Sequence, residues 1–193
     1  MAKIITAIIC ALIFSNTVQA QQKFDKKVKL QYVGNFQIGV ATGVAEKNEL
    51  VLQVINSILY KSWFVGLGAG IDQYGNKRSL PFFIALQKAF LKNNHQPFIY
   101  SNIGYNISWL KSSQKVVIAD NYKELNGWYY EVGIGYKYVI YKQAAVGISI
   151  GYSLKQQGEQ YSAFGFVPTP TQNYSDKYQY HFKHLTFKIN CWF

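Results

Sequence analysis

The sequence predicts an all-β fold, in which eight antiparallel strands close into an up-and-down barrel. Eight segments alternate in side-chain character with a period of two, which is typical of strands and fits poorly to a helix. The alternation is clearest in GWYYEVGIGYKYVIY, residues 127–141, where large apolar side chains alternate with glycine, Glu131 and Lys137. Because successive side chains of a strand point to opposite faces, each strand has one apolar face and one small or polar face.

The first four predicted strands lie in QYVGNFQIGVATG, ELVLQVINSILYK, WFVGLGAGIDQYG and SLPFFIALQKAFL. The first and third alternate cleanly, whereas the second has apolar residues on both parities. The fourth loses its alternation at Lys88, which either a β-bulge or a strand end near an interface would explain. Only short segments, GVAEKN, KS and GNKRS, connect these four strands.

The last four predicted strands lie in PFIYSNIGYNISWL, in residues 127–141, in AAVGISIGYSLKQ and in HLTFKINCWF. The connections KNNHQ and YKQ are short, but residues 111–126 and 156–180 form long connections. In an up-and-down barrel both long connections fall at the same end. This asymmetry is typical of outer-membrane barrels, which have short periplasmic turns and longer outer loops.

The composition of the non-apolar face decides which side of the barrel faces water. A soluble barrel of the lipocalin type would need a charged exterior, yet only 15% of the residues are charged. Glycine, serine, asparagine and alanine dominate this face, and they suit a narrow interior. The sequence therefore predicts a transmembrane barrel whose apolar face meets lipid.

A few charged residues fall on the predicted inner face, where a charge is tolerable only if it is paired or hydrated. We predict a lumenal salt-bridge network that holds the barrel closed, made by Asp72, Glu131, Lys137, Lys155 and Lys188. The alternative is that some of these residues lie at the wet rims. Glycines such as Gly133 and Gly135 are expected to leave room for chain and water.

Aromatic residues are expected to form girdles at the two membrane boundaries, where a ring can remain partly wet. Trp109 and Trp128 flank the first long connection, and Tyr60, Trp63, Tyr138 and Tyr141 flank the short turns of the opposite rim. High strand propensity would also account for these aromatic residues.

Residues 1–20 have the form of a secretory signal peptide, with Lys3, a short apolar run and a small-residue end at Ala20. We therefore expect export, a short N-terminal segment over residues 21–29 and a barrel domain over residues 30–193. Cys10 would leave with the signal, so the single remaining cysteine, Cys191, excludes an intramolecular disulfide.

The net charge of +11 comes mostly from lysines scattered over turns and ends, without a basic helix or a recognition motif. Nucleic-acid binding is not expected, whereas contact with phosphate-bearing surface lipids remains open. His95 falls in a predicted periplasmic turn, and His181 and His184 have opposite parity, which makes them a poor metal pair. No cofactor or metal site and no catalytic Ser–His arrangement is predicted.

The signal ending at Ala20, the strands VGLGAGIDQYG and GWYYEVGIGYKY, and the terminal LTFKINCWF resemble the OmpA/OmpX-like family of small eight-stranded outer-membrane barrels, especially the barrel-only proteins of Bacteroidetes-type bacteria. The resemblance implies that Phe187, Ile189, Cys191 and Phe193 form the signal read by the barrel-assembly machinery. No peptidoglycan-binding domain is expected after Phe193.

Taken with the residue patterns, the resemblance implies a non-enzymatic protein of the outer membrane, in contact with its lipids and lipopolysaccharide. Its role would be structural, or an interaction with a surface partner through residues 111–126 and 156–180. Two alternatives stay open: a lipid-modifying enzyme of the lipid A deacylase kind, and a secreted soluble barrel that binds an apolar ligand. A general porin is not expected, because side chains nearly fill an eight-stranded barrel.

Overall fold

The computed structural model describes residues 30–43, 48–74, 77–91, 93–110, 121–141, 144–163 and 174–193. The described residues form nine strands: β1 Gln31–Gly43, β2 Glu49–Tyr60, β3 Trp63–Tyr74, β4 Lys77–Ala89, β5 His95–Leu110, β6 Asn121–Leu125, β7 Gly127–Tyr141, β8 Ala144–Ala163 and β9 Tyr174–Trp192. Within these ranges, no helix has the length and apolar character needed to cross a membrane.

The strands form one closed antiparallel barrel. Strands β1 to β5 pair in sequence order, β5 pairs with β7 and β7 with β8, and the barrel closes where β9 pairs with both β8 and β1. The short β6 and the longer β7 follow one another along β8, with a one-residue register shift between the pairs Leu125↔Gly158 and Tyr129↔Lys155. They therefore share one position around the barrel, and the predicted eight-stranded antiparallel barrel is confirmed.

The register of the pairs fixes the tilt of the strands. A path through directly paired residues starts at Gln31, passes Leu59, Phe64, Gln87, Tyr100, Gly133, Gly151 and Thr186, and returns to β1 at Ala41. The return point lies ten residues beyond the start, which is the shear of the barrel. For eight strand positions this shear corresponds to a strand tilt of about 40°.

Residues of one parity turn inward along each strand, as the alternation predicts. The buried inner face carries many polar side chains, among them Asn35, Gln53, Asn102, Glu131, Lys155 and Asn190. The opposite parity exposes large apolar side chains all around the barrel, such as Leu67 (69% exposed), Ile134 (60%) and Ile148 (64%). The barrel is thus polar inside and apolar outside.

Two ambiguous strands are resolved by their packing. In β2 the inward Ile55 packs with Phe83 and Tyr129, so apolar side chains lie on both of its faces. In β4 the pairing runs regularly through Lys88, which pairs with Trp63 on one side and Ile99 on the other. The loss of alternation at Lys88 therefore marks the end of the apolar belt and not a bulge.

The predicted loops over residues 111–126 and 156–180 are wrong in their bounds. Residues 121–125 form β6, and β8 and β9 continue as a hairpin whose pairs run from Gln156↔His181 to Ala163↔Tyr174. Neither face of these extensions is apolar, so the alternation pattern does not predict them. Their backbone groups still form hydrogen bonds with each other. Residues 111–120 and 164–173 lie outside the described residues. Similarly, His95 is the first residue of β5 and not part of a turn.

Aromatic rings occupy the space left by two glycines of β7. A Cβ added at Gly133 would come within 2.6 Å of the Tyr100 ring, and one at Gly135 within 2.3 Å of the Phe98 ring. The same residues are direct cross-strand partners. Each glycine therefore makes room for the large side chain beside it.

Candidate functional site

The interior of the barrel is organised around Glu131, which β7 turns inward and which is 1% exposed. Lys188 of β9 lies 2.7 Å from its Oε1 atom and forms an ion pair with it. Four further side chains donate hydrogen bonds to the carboxylate: Tyr100 (2.9 Å), Thr186 (2.8 Å), Asn102 (3.4 Å) and Tyr129. These donors replace part of the hydration that the carboxylate has lost by burial.

Lys188 connects this centre to the other side of the lumen. Its Nζ atom donates to Oε1 of Gln53 at 3.1 Å, and Nε2 of Gln53 donates to the hydroxyl of Tyr129 at 3.1 Å. Because Tyr129 also donates to Glu131, the four side chains form a closed hydrogen-bonded ring. The Gln53–Tyr129 contact joins β2 to β7, which lie on opposite sides of the barrel.

A second buried ion pair crosses the lumen beside the first. Nζ of Lys155 on β8 lies 2.6 Å from Oδ2 of Asp72 on β3, and these strands are also on opposite sides of the barrel. Ser79 donates to the same oxygen at 3.4 Å. The ammonium of Lys155 lies 5.7 Å from the centre of the Tyr129 ring, so Tyr129 contacts both ion pairs.

Lys137 takes part in neither ion pair, although the sequence places it on the same inner face. Its Nζ atom lies 4.6 Å from the centre of the Phe64 ring and 5.0 Å from that of Trp192. Both rings belong to an apolar cluster that fills one end of the lumen. Four of the five residues predicted for the charge network thus meet in two pairs, and Lys137 lies apart among aromatic rings.

One further buried contact between titratable side chains has no counterpart in the sequence predictions. Nε2 of His184 lies 3.2 Å from Oε1 of Glu49, and both side chains are buried. His184 shares the inward parity of Thr186 and Lys188, which is the signal that could have identified it. His181 is exposed and does not share this site. Among the described residues, no group of three or more histidines, cysteines and acids could hold a metal ion.

The aromatic residues predicted as girdles point outward at the ends of the apolar belt. Tyr60 pairs directly with Trp63 beside the Lys61–Ser62 turn, and Tyr138 and Tyr141 are exposed at the same end. Trp128 is exposed near the opposite end. The backbone of Trp109 belongs to β5, and its side chain lies outside the described part of the chain.

The residues predicted as an assembly signal line the outer face of the last strand. The side chains exposed there are Phe187, Ile189, Cys191 and Phe193. The chain end is paired: the amide of Phe193 donates to the carbonyl of Gly34 at 3.0 Å, and the amide of Gly34 donates in return at 2.8 Å. The final strand is therefore hydrogen-bonded to β1 up to the last residue.

The interior leaves little free space between these side chains. The cavity next to the charge network, lined by residues such as Asn35, Ser57, Tyr100 and Ser149, has a volume of about 20 Å³. That volume holds about one water molecule. The described lumen can hold the ion pairs rigidly, but it offers no space for an organic ligand at this level.

Solved structures with a similar fold are outer-membrane proteins. The outer membrane protein OprG from Pseudomonas aeruginosa superimposes with a TM-score of 0.58 at 12% identity, over 84% of this chain and 95% of that chain. Neisserial surface protein A superimposes with a TM-score of 0.54 at 8% identity, over 84% and 97%. The outer membrane protein AlkL, solved in DMPC bilayers, gives 0.53 at 10% identity, over 91% and 94%.

No protein-family model and no curated protein sequence matches the chain. At 8–12% identity, the similarity to OprG, Neisserial surface protein A and AlkL shows the fold alone.

Proposed function

We propose that this chain is a non-enzymatic outer-membrane protein, inserted in the lipid through its apolar outer face. The observation that carries the proposal is the reversed distribution of polarity, with ion pairs inside and a continuous apolar belt outside. In water such a belt would be a large aggregation-prone surface, whereas in lipid its exposure has no cost. Three similarly folded solved proteins of the outer membrane support the same location.

The polar and filled interior argues against the soluble alternative. A soluble ligand-binding barrel needs an apolar cavity and a water-facing exterior. Here the lumen contains two buried ion pairs, Glu131–Lys188 and Asp72–Lys155. The Asp72–Lys155 pair ties opposite strands together, and the Glu131–Lys188 pair joins β7 to β9 across β8, which suits a structural role better than a channel.

The hairpin extensions of β8 and β9 supply a surface for interaction, together with β6. On this surface Lys177, Tyr178 and Tyr180 are exposed on β9. Lysines and tyrosines are suited to contact lipopolysaccharide phosphates or a partner at the cell surface. We therefore assign the surface-interaction role to these extensions, at the end opposite the short turns. We further propose that the chain is exported by its signal sequence and inserted by the barrel-assembly machinery.

Cysteine labelling on intact cells tests this orientation. In a Cys191→Ser background, Lys177→Cys reports the hairpin and Lys61→Cys reports the opposite turn. A membrane-impermeant maleimide should label the first variant on intact cells and the second only after the outer membrane is permeabilised. Labelling of Lys61→Cys alone on intact cells would reverse the orientation. Recovery of both variants in the soluble fraction would show that the barrel is not inserted in a membrane.

A further inference from the structure

The mouth of the barrel beside the short turns contains a buried cation whose charge has no acidic partner in the described residues. Lys137 is 7% exposed. The buried lysine–carboxylate ion pairs among the described residues join Asp72 to Lys155 and Glu131 to Lys188, and Glu49 contacts His184. Lys137 contacts two aromatic rings instead, and a ring face supplies only part of the stabilisation that an ammonium loses with its water.

The side chain of Lys137 lines a cavity of about 310 Å³ at this mouth. The cavity has an apolar wall, which includes Phe64, and a polar rim, which includes Gln31, Asn94 and Gln96. A second lysine, Lys61, belongs to the rim. Its described lining contains no carboxylate, so the local charge is positive.

The rim is held by hydrogen bonds and is not a loose turn. Nε2 of Gln96 donates to the carbonyl of Asn93 at 2.9 Å, and the amide of Val139 donates to the carbonyl of Asn94 at 2.8 Å. Lys61 lies in the turn between β2 and β3, across the cavity from Gln96, and adopts a φ of 58°. Its ammonium lies 5.2 Å from the centre of the Tyr60 ring. The Asn93–Gln96 side of the rim is therefore held in place before any ligand arrives, whereas the Lys61 ammonium rests on the outward Tyr60 ring.

We propose that this cavity binds an anion of the phosphate ester class, with its phosphate on Lys137 and its remaining atoms between the amide rim and the apolar wall, while Lys61 adds positive charge at the rim. An anion here would replace the water that Lys137 has lost, and a hydrogen bond between charged groups is among the strong ones. The volume is at the lower end of ligand pockets and accommodates a molecule of about sugar-phosphate size. Two sources share this chemistry: a soluble phosphate ester from the periplasm and a phospholipid headgroup.

Methyl NMR of the full barrel in a neutral detergent tests the proposal. Glycerol 3-phosphate is the soluble probe, and a short-chain phosphatidylglycerol mixed into the micelle is the headgroup probe. The methyl groups of Val33, Leu59 and Val139 line the cavity and report binding, and those of Val65 on the outer face serve as reference. The wild-type titration is informative by itself, because it needs no variant to fold.

Three variants assign the binding to the cation. Lys137→Met keeps the side-chain length and removes the charge, and should weaken binding by about tenfold or more. Lys137→Arg should retain it. Lys88→Gln is the matched control, since Lys88 also lies over a ring, 4.8 Å from the centre of Trp63, but does not line the cavity. It should bind as the wild type does.

Shifts with glycerol 3-phosphate that disappear in Lys137→Met support the soluble source. Shifts produced by phosphatidylglycerol alone, and lost in the same variant, support the headgroup. Titrations in which neither probe moves the cavity methyl groups of the wild type overturn the proposal, as do equal affinities for the wild type and Lys137→Met.

Discussion

Lys188 and Lys137 are two lysines on the same inner face with different surroundings. Lys188 is 2% exposed and Lys137 is 7% exposed, so both have lost nearly all their water. Lys188 pairs with a carboxylate at 2.7 Å and donates to an amide oxygen at 3.1 Å. Lys137 lies among aromatic rings. A buried lysine can therefore belong to a rigid network of ion pairs, or it can be available to bind a ligand. Its inward position in the strand pattern does not distinguish the two.

The same contrast separates two levels of the lumen. At the level of Glu131 and Asp72, the Asp72–Lys155 ion pair and the Gln53–Tyr129 hydrogen bond join strands on opposite sides of the barrel. At the level of Lys137, the Phe98 and Trp192 rings meet edge to face with centres 5.7 Å apart, and apolar packing closes the lumen. Substitutions at the first level should therefore cost more stability than substitution of Lys137.

The largest effect is expected for Glu131→Gln. The substitution leaves Lys188 buried without its carboxylate, and breaking a buried ion pair costs about 3–5 kcal/mol of unfolding free energy. Urea unfolding in lipid or detergent measures the loss. Glu124→Gln on β6 is the matched control, with a smaller effect because Glu124 is only half buried. The double variant Glu131→Gln/Lys188→Met should recover part of the loss, and additive losses would contradict the pairing.

Asp72→Asn should have the next largest effect. It removes the charge facing Lys155, but fewer groups depend on Asp72 than on Glu131, so we expect a loss of roughly 3 kcal/mol. Unfolding curves of the two variants in the same detergent provide the comparison. A loss below that of Glu124→Gln would show that the Asp72–Lys155 pair does not hold the barrel.

Gly133→Ala should have an intermediate effect, because the added methyl group meets the carbonyl oxygen of Ile150 at 2.3 Å and the Tyr100 ring at 2.6 Å. Overpacking of this kind costs about 1–3 kcal/mol. Val132→Ala, on the outer face of the same strand, is the control and should change stability little. Equal stability of Gly133→Ala and the wild type would contradict this close packing, since both the ring and the β8 backbone would then have to move without cost.

Lys137→Met should have the smallest effect, a change of less than about 1 kcal/mol, since the lost cation–π contacts are offset by removal of a buried charge. The measurement is again urea unfolding, run beside Lys188→Met. That variant leaves Glu131 buried without its cation and should be strongly destabilising. A loss in Lys137→Met as large as in Lys188→Met would remove the distinction between the two lysines.

The barrel could be predicted from sequence because the patterns that indicate it are present within each segment. A period of two and the placement of short connections follow from each segment alone, and they determine the number of strands and the inward parity. The hairpin beyond residue 156 could not be predicted this way, because its strands have no apolar face. Its formation depends on pairing between distant segments, such as Gly158 with Gln179.

The partners within the lumen could not be predicted for a related reason. Asp72 and Lys155 meet across the barrel, a contact set by shear and closure and not by either strand alone. Glu49 lies next to a predicted loop, so the sequence pattern does not predict its contact with His184. The separation of Lys137 depends on where Phe64 and Trp192 place their rings.

Insertion of the apolar outer face in a membrane can be measured by membrane fractionation of expressing cells, followed by gel migration of the extracted protein with and without boiling. We expect recovery only with detergent and a mobility that changes on boiling. Recovery in the soluble fraction, with the same mobility before and after boiling, would contradict it.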